Sequence, residues 1–295
     1  MMKMTKVLKT TTVMLTVAAM AMGMSGCGTN TEDVVSNRTN QQADTTDKSA
    51  SELDGETADT ALNKDTLIVG LDDTFAPMGF RDENGDIVGF DIDLANALCE
   101  KLGKEVELQT IDWSMKETEL NAGNIDFIWN GYSITDERKE QVAFGTPYLK
   151  NRQVIVTLAE SNINTKADLA DKTVGAQAGS SAVDAIEADP DTLATFKDGK
   201  PVTYESNNDV LMDLEAGRID AAVADEVIVK YYINKKGAEK FKLLEEDFGD
   251  EEYGVGMRKE DTALVEAFND AYAELKEEGK LAEISTKWFG EDITQ

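Results

Sequence analysis

From Leu67 onward, short apolar runs alternate with longer amphipathic stretches. Leu67–Val69, Val106–Leu108, Ile125–Trp129, Val154–Leu158, Thr173–Ala176 and Val255–Met257 have the length and apolar content of buried strands. A helix is predicted from about Asp91, with acidic residues in its first turn and Gly103 beyond its end. Further helices are predicted after Trp113, over Asn208–Ala216, over Glu226–Lys235 and through the tail from Asp261 to Phe289, with a short one at Asp168-Leu169. Pro77 breaks a loop from Asp72 to Met78, and Asn84-Gly85-Asp86 makes a hairpin turn between Phe80 and Ile87. Alternating strands and helices predict an α/β fold with mainly parallel sheets.

One phrase occurs twice. Leu120–Trp129 reads LNAGNIDFIW and Leu214–Val223 reads LEAGRIDAAV. In each copy a helix ends, a glycine (Gly123 or Gly217) supplies a left-handed cap, and a strand begins at Ile-Asp. The separation of 94 residues is too long for a solenoid repeat and fits two similar α/β lobes. In open α/β sheets, ligands bind beyond the carboxyl ends of the strands, so each copy would aim one loop into a shared cleft. The plainer reading is that Ala-Gly-x-Ile-Asp is a common helix-to-strand connector.

The start of the chain carries a different pattern. Lys3, Lys6 and Lys9 precede an apolar run, Val13–Met24, too short to span a bilayer. Met24-Ser25-Gly26-Cys27 resembles a bacterial lipobox, with Met24 in place of the usual Leu. Residues 1–26 are therefore expected to be a signal peptide, and Cys27 a lipidated N-terminus on the extracytoplasmic face of the cell membrane. Residues 28–64 have no aromatic residue and are rich in Thr, Asn, Asp, Ser and Glu. Such a segment cannot bury enough apolar area to offset its ordering entropy, so 27–64 is read as a disordered acidic tether.

The chain has 58 acidic and 29 basic residues, for a net charge of −29. That charge opposes binding to nucleic acid and to anionic lipid. Histidine is absent, which excludes His-based triads and His metal sites. Neither a metal nor a cofactor is predicted. Apart from Cys27 the only cysteine is Cys99, on a helix face with Ala95, Leu98 and Leu102, where a buried free thiol is expected.

The candidate chemistry gathers at strand ends. After Ile125–Trp129 come Asn130, Gly131, Tyr132 and Ser133, then a helix start at Thr135-Asp136 and Arg138 in the next turn. Backbone N–H groups, a hydroxyl and a guanidinium fork together suit capture of a small carboxylate. Gly179-Ser180-Ser181 opens a helix and reads either as an anion site or as a plain N-cap. Asp225 ends a strand of Ala and Val, where its carboxylate needs a partner or caps the helix from Glu226. Taken alone, Phe75 and Trp113 are ordinary core aromatics, and Asp72-Asp73 is a solvated turn.

The chain resembles the polar amino acid-binding proteins of bacterial ABC importers, the family 3 extracellular solute-binding proteins, over about Thr66–Phe289. The likeness rests on Gly89-Phe90-Asp91-Ile92-Asp93-Leu94, Ser133-Ile134-Thr135-Asp136-Glu137-Arg138, Phe144-Gly145-Thr146-Pro147-Tyr148, Ala216-Gly217-Arg218-Ile219-Asp220 and Gly254-Val255-Gly256-Met257-Arg258-Lys259, in that order. It implies a two-lobed type II periplasmic-binding-protein fold, with two hinge strands near Lys150–Gln153 and Gly249–Gly254. Lobe 1 would comprise 65–150 and 254–295, and lobe 2 would comprise 151–253. It also implies that Arg138 pairs with a ligand α-carboxylate, helped by backbone N–H groups near Ser133 and Ser181. Asp225 would take the α-ammonium with the Ser133 hydroxyl and the Gly131 carbonyl. Phe75 and Trp113 would flank the ligand side chain, and Asp72 would reach its far end. Met78 and the bulky Trp129-Asn130-Gly131-Tyr132 depart from the family pattern, and Asn130 bears on side-chain specificity.

The expected function is therefore capture of a polar or basic L-amino acid, such as glutamine, arginine or lysine, by a monomeric lipoprotein. The captured ligand would pass to an ABC permease, without catalysis. Two rivals stand beside it. One is an enzyme of the same fold, resembling cyclohexadienyl dehydratases, with Asp72, Asp73 or Glu226 as the acid. The other is the sensor module of a receptor.

Overall fold

A computed structural model describes residues 61–295. The expected signal peptide, Cys27 and most of the expected tether lie outside the described residues. Two tether positions belong instead to the fold. Ala61 is fully buried, and Lys64 pairs with Asp126 at 2.7 Å.

In chain order the strands of the first half are β1 (Thr66–Leu71), β2 (Thr74–Phe75), β3 (Gly79–Arg81), β4 (Ile87–Val88), β5 (Glu105–Thr110), β6 (Phe127–Ile128) and β7 (Ala143–Phe144). There follow β8 (Leu149–Leu158), β9 (Val174–Gln177), β10 (Val202–Tyr204), β11 (Ala221–Asp225), β12 (Phe241–Tyr253) and β13 (Gly256–Met257). The helices are α1 (Phe90–Lys101), α2 (Lys116–Asn121), α3 (Asp136–Gln141), α4 (Ser181–Glu187), α5 (Pro190–Leu193), α6 (Asn207–Glu215), α7 (Glu226–Lys236), α8 (Thr262–Glu277) and α9 (Lys280–Phe289).

Two five-stranded sheets form, in the orders β5-β1-β6-β13-β7 and β10-β9-β11-β8-β12. They are the sheets of a two-lobed type II binding-protein fold. The parallel pairing expected from the α/β alternation is found for β1 with β5 and β6, and for β9 with β10 and β11. The remaining pairings are antiparallel, so each sheet is mixed. The physical reason is the mode of entry. A parallel neighbour needs a long crossover connection. β8 instead arrives directly from the first sheet and runs antiparallel to its neighbours.

β8 and β12 are the hinge strands. They pair from Leu149↔Tyr253 to Phe241↔Leu158, with register shifts on either side of Asp247. The sequence pattern misses β12. It is a sheet edge with acidic side chains, and exposed charge is how edges avoid pairing with other chains. β10, a short strand at the opposite edge, is missed as well. The tail expected as one helix is two, because Gly279 adopts a left-handed conformation with φ 75° between α8 and α9.

The repeated phrase has one structural meaning in both copies. Gly123 and Gly217 have φ of 78° and 68°, and their N–H groups close the ends of α2 and α6 onto Leu120 and Leu214. Ile125 and Ile219 turn into the cores. The aspartates that follow tie neighbouring strand starts. Asp126 Oδ2 accepts from the Ile68 N–H at 3.1 Å, and Asp220 Oδ2 accepts from the Thr173 N–H at 2.8 Å. The copies differ in burial. Asp220 is exposed, whereas Asp126 is fully buried and also meets Arg258 at 2.7 Å. Burial pushes the Asp126 carboxyl up, but Lys64, Arg258 and the Ile68 N–H outweigh it and hold it below the usual range.

Two equivalent substitutions should therefore behave differently. Asp126→Ala leaves Arg258 short of a buried counter-charge and should cost about 3 kcal/mol, the lower end for broken buried pairs, because Asp261 remains. For a domain of this size that lowers Tm by roughly 6–12 °C. Asp220→Ala should cost about 1 kcal/mol, one hydrogen bond. Because the folded Asp126 carboxyl is lowered, its contribution is full above about pH 4 and fades as pH falls further. Melts at pH 7 and below pH 4 test this: equal losses for the two variants at pH 7 would contradict the assignment.

Candidate functional site

The loops at the carboxyl ends of β1, β5, β6, β9 and β11 converge on one small, tightly closed cavity. Its lining is Asp72, Phe75, Trp113, Asn130, Gly131 and Arg138 from the first lobe, with Gln177, Ser180, Ser181 and Asp225 from the second. Every site residue singled out from the sequence lies in this lining except Ser133. Ser133 sits beside it at the seam, its Oγ 2.9 Å from Ser181 Oγ and its carbonyl accepting from Arg138 Nη1 at 2.9 Å.

The cation end is built by α3. Thr135 caps that helix by accepting from the Arg138 N–H at 3.1 Å. The cap fixes Arg138 one turn in, buried, with its guanidinium 4.8 Å from the centre of the Tyr132 ring. Nη2 reaches the Gly179 carbonyl at 3.3 Å and Asp184 at 3.6 Å in the opposite lobe. Lys116 joins it there. Its Nζ donates to the same Gly179 carbonyl at 2.8 Å and to the Trp113 carbonyl at 3.2 Å. Burial and the neighbouring Arg138 charge bring the Lys116 ammonium down to about 8.

At the other end Asp72 is buried. Its Oδ1 accepts from the Thr74 N–H and hydroxyl, and its Oδ2 accepts from Gln177 Nε2 at 2.8 Å. Burial raises its carboxyl against the lowering effect of those bonds. Gln177 is itself oriented, since its Oε1 accepts from Asn207 Nδ2 at 2.8 Å. Asn130 Oδ1 accepts from the Asp72 N–H at 3.2 Å, so its position is set by β1.

Gly131 shows why the loop after β6 needs glycine. Its φ is 59°, and a Cβ would come within 2.6 Å of Phe75 Cε1. Its N–H is held by Asp91 Oδ2 at 2.7 Å, and the Tyr148 hydroxyl donates to the same oxygen at 3.0 Å. Asp91 has no exposure, and burial raises its carboxyl to about 7.

Asp225 ends β11 in the interior. Its Oδ1 accepts from Tyr253 Oη at 2.6 Å, Asn151 Nδ2 at 2.8 Å and Gln153 Nε2 at 3.0 Å. Among the described residues no Lys or Arg pairs with it. The capping role weighed from the sequence is not what the structure shows, because its side chain makes no cap hydrogen bond to α7.

Gln177, Lys116, Asp91 and the hinge-strand groups Asn151 and Gln153 were not singled out from the sequence. Gln177 was findable, because it occupies the same strand-end position as Asp225. Lys116 was hidden in a helix whose charged pattern reads as solvated.

This architecture has many relatives. The chain matches the bacterial extracellular solute-binding proteins, family 3, over residues 67–291, and it belongs to that family. It is 33% identical over 232 residues to the L-cystine-binding protein TcyJ of Escherichia coli K12, covering 78% of this chain and 85% of that one. It is 34% identical to the lysine/arginine/ornithine-binding periplasmic protein of the same strain, covering 76% and 88% of the two chains. Among solved structures, an ABC uptake transporter substrate-binding protein from Streptococcus pneumoniae with bound histidine is 44% identical. It superposes with a TM-score of 0.78, over 80% of this chain and 97% of that one.

Gly179 offers a direct probe of the seam. Its φ is 67°, and an added Cβ would lie 3.0 Å from Ser114 Cα in the other lobe. Gly179→Ala should leave each lobe folded but hold the lobes apart. Amino acid affinity should fall at least about tenfold, the equivalent of 1.4 kcal/mol. Unchanged affinity by calorimetry would mean that the seam does not close around the ligand.

Proposed function

We propose that the chain captures a polar or basic L-amino acid between its lobes outside the cytoplasm and delivers it to an ABC importer as a non-catalytic binding protein. The observation that carries this reading is the placement of a guanidinium and a carboxyl around one cavity, one from each lobe. Arg138 from the first lobe suits an α-carboxylate, and Asp225 from the second suits an α-ammonium. Asp72 with Gln177 forms the far wall, where a side-chain amide, imidazole or cation satisfies a buried carboxylate. Phe75 and Trp113 supply the flanking apolar surface. Relatives named for cystine, for lysine, arginine and ornithine, and a homologue holding histidine support a polar ligand of this size. The lobe boundaries that go with this reading are 65–150 with 254–295, and 151–253.

The catalytic rival loses support from the placement of its acids. Asp73 pairs with Arg81, and Glu226 pairs with Arg152 and Lys230 away from the cavity. Asp72 alone of the three faces the cavity, and its oxygens already accept three hydrogen bonds.

A thermal-shift screen of the twenty amino acids tests the reading. Ligand at about 100 times Kd adds about 2.7 kcal/mol, several degrees here. Arginine, lysine, glutamine or histidine should stabilise more than leucine or glutamate. In Arg138→Ala the stabilisation should vanish while the fold remains, since losing one member of a buried charge pair costs about 3–5 kcal/mol. Near-normal affinity in that variant would sink the carboxylate assignment.

The lipid anchor at Cys27 and action as a monomer belong to the same proposal. Cys27→Ser should release the protein or leave it uncleaved. Recovery of an acyl-modified, membrane-retained mature form from that variant would refute the anchor.

A further inference from the structure

Three adjacent strands place two carboxylates over the same pair of amides. In the order β11-β8-β12, Asp225 is opposite Gln153 and Glu251 is opposite Asn151. Asn151 and Gln153 are two residues apart on β8, so their side chains share one face. Each amide then bridges both acids. Asn151 Nδ2 donates to Asp225 Oδ1 at 2.8 Å and to Glu251 Oε1 at 2.6 Å. Gln153 Nε2 donates to the same two oxygens, at 3.0 Å each.

We infer that Glu251, on the returning hinge strand, is a second carboxylate of the ammonium subsite: Asp225 holds a proton against it until the ligand ammonium arrives, and amino acid binding releases that proton to solvent. The inference rests on the proposed role of Asp225 and adds a partner and a proton balance to it. The ligand brings its ammonium already protonated. The O–H bond of the Asp225 carboxyl breaks, its proton passes to the buffer, and the ammonium takes the place of that proton between the acids.

The surroundings favour this. From β12, Glu251 and Tyr253 face Asp225; from β8 come the neutral amides of Asn151 and Gln153; from α4 the Ser181 hydroxyl meets Gln153 Nε2 at 3.1 Å. The next residue, Glu226, is drawn away by Arg152 and Lys230, and Arg152 is further occupied by Asp247. Across the cavity, Arg138 and Lys116 are held at the Gly179 carbonyl. Burial first, and the like charge of Glu251 second, raise the Asp225 carboxyl well above its ordinary range. Gln153 Oε1 is buried with no hydrogen-bond partner among the described residues, a spare acceptor on the residue opposite Asp225.

Titration calorimetry of the mature protein with L-arginine, L-lysine and L-glutamine tests the inference. These ligands keep their own protonation constant near neutral pH. The heat should differ between phosphate and Tris buffers at one pH, by an amount that corresponds to net proton release. Affinity should rise with pH, by up to about tenfold per unit, until Asp225 is ionised in the free protein. In Glu251→Gln the released fraction should fall below half of the wild-type value, because Asp225 loses its like-charged neighbour. Binding with buffer-independent heat in the wild type overturns the inference and leaves the amino acid reading intact. Equal proton release in wild type and Glu251→Gln overturns the role of Glu251. No heat from any of the three ligands, together with no amino acid that stabilises the protein in the thermal-shift screen, overturns both readings. The wild-type measurement stands even where the variant folds poorly.

Discussion

A carboxylate placed in the interior without a cation is the constraint on which the rest of the site depends. Asp225 is 4% exposed, and around it stand two amides, a phenol and the carboxyl of Glu251. Such groups orient an acid but bring no opposite charge, and an uncompensated charge in low dielectric costs several kcal/mol, so burial first and Glu251 second push the Asp225 carboxyl up and favour its neutral form. The strand order β11-β8-β12 exists around this group. It brings both hinge strands into contact with the residue that ends β11. The chemistry at Asp225 and the geometry of the hinge are therefore one structure.

The Arg138 end follows the complementary rule. Its guanidinium donates to the Ser133 and Gly179 carbonyls, and its acidic neighbours Asp184 and Glu117 stand off at 3.6 and 4.0 Å. Lys116 adds a second positive charge to the same carbonyl. Cation and acid are thus both held mainly by neutral groups. On the proposed reading, preorganisation of this kind lets a small zwitterion supply its counter-charges without first ordering the side chains.

Much of the site was legible in the sequence because strand ends are local. The end of β6, with Asn130 and Gly131, and the end of β11, with Asp225, are marked by a repeated glycine-capped connector that a reader can align. The α3 cap and Arg138 are three residues apart and could be read together. What stayed hidden depends on register between distant strands. Glu251 and Asn151 meet only because β12 pairs with β8 through two irregularities. Gln177 touches Asp72 only across the closed seam. No periodicity carries that information. β12 was missed for a related reason: an acidic edge strand has no apolar alternation to announce it.

The seam itself is made of bonds that need no ligand. Gln177 with Asp72, Ser133 with Ser181, and Lys116 with the Gly179 carbonyl all join the two lobes directly. Each is worth about 1 kcal/mol net, or somewhat more where a charge takes part. Together they offset part of the entropy of bringing the lobes together, but none brings a cation to Asp225. On the proposed reading, closure and charge compensation are thus separate contributions. The seam sets how often the lobes meet, and the zwitterion determines whether the closed form is electrostatically satisfied. A ligand without the ammonium would find the same seam but bring nothing to take the place of the Asp225 proton. Discrimination would then come from the energy of the closed state rather than from access to the cleft.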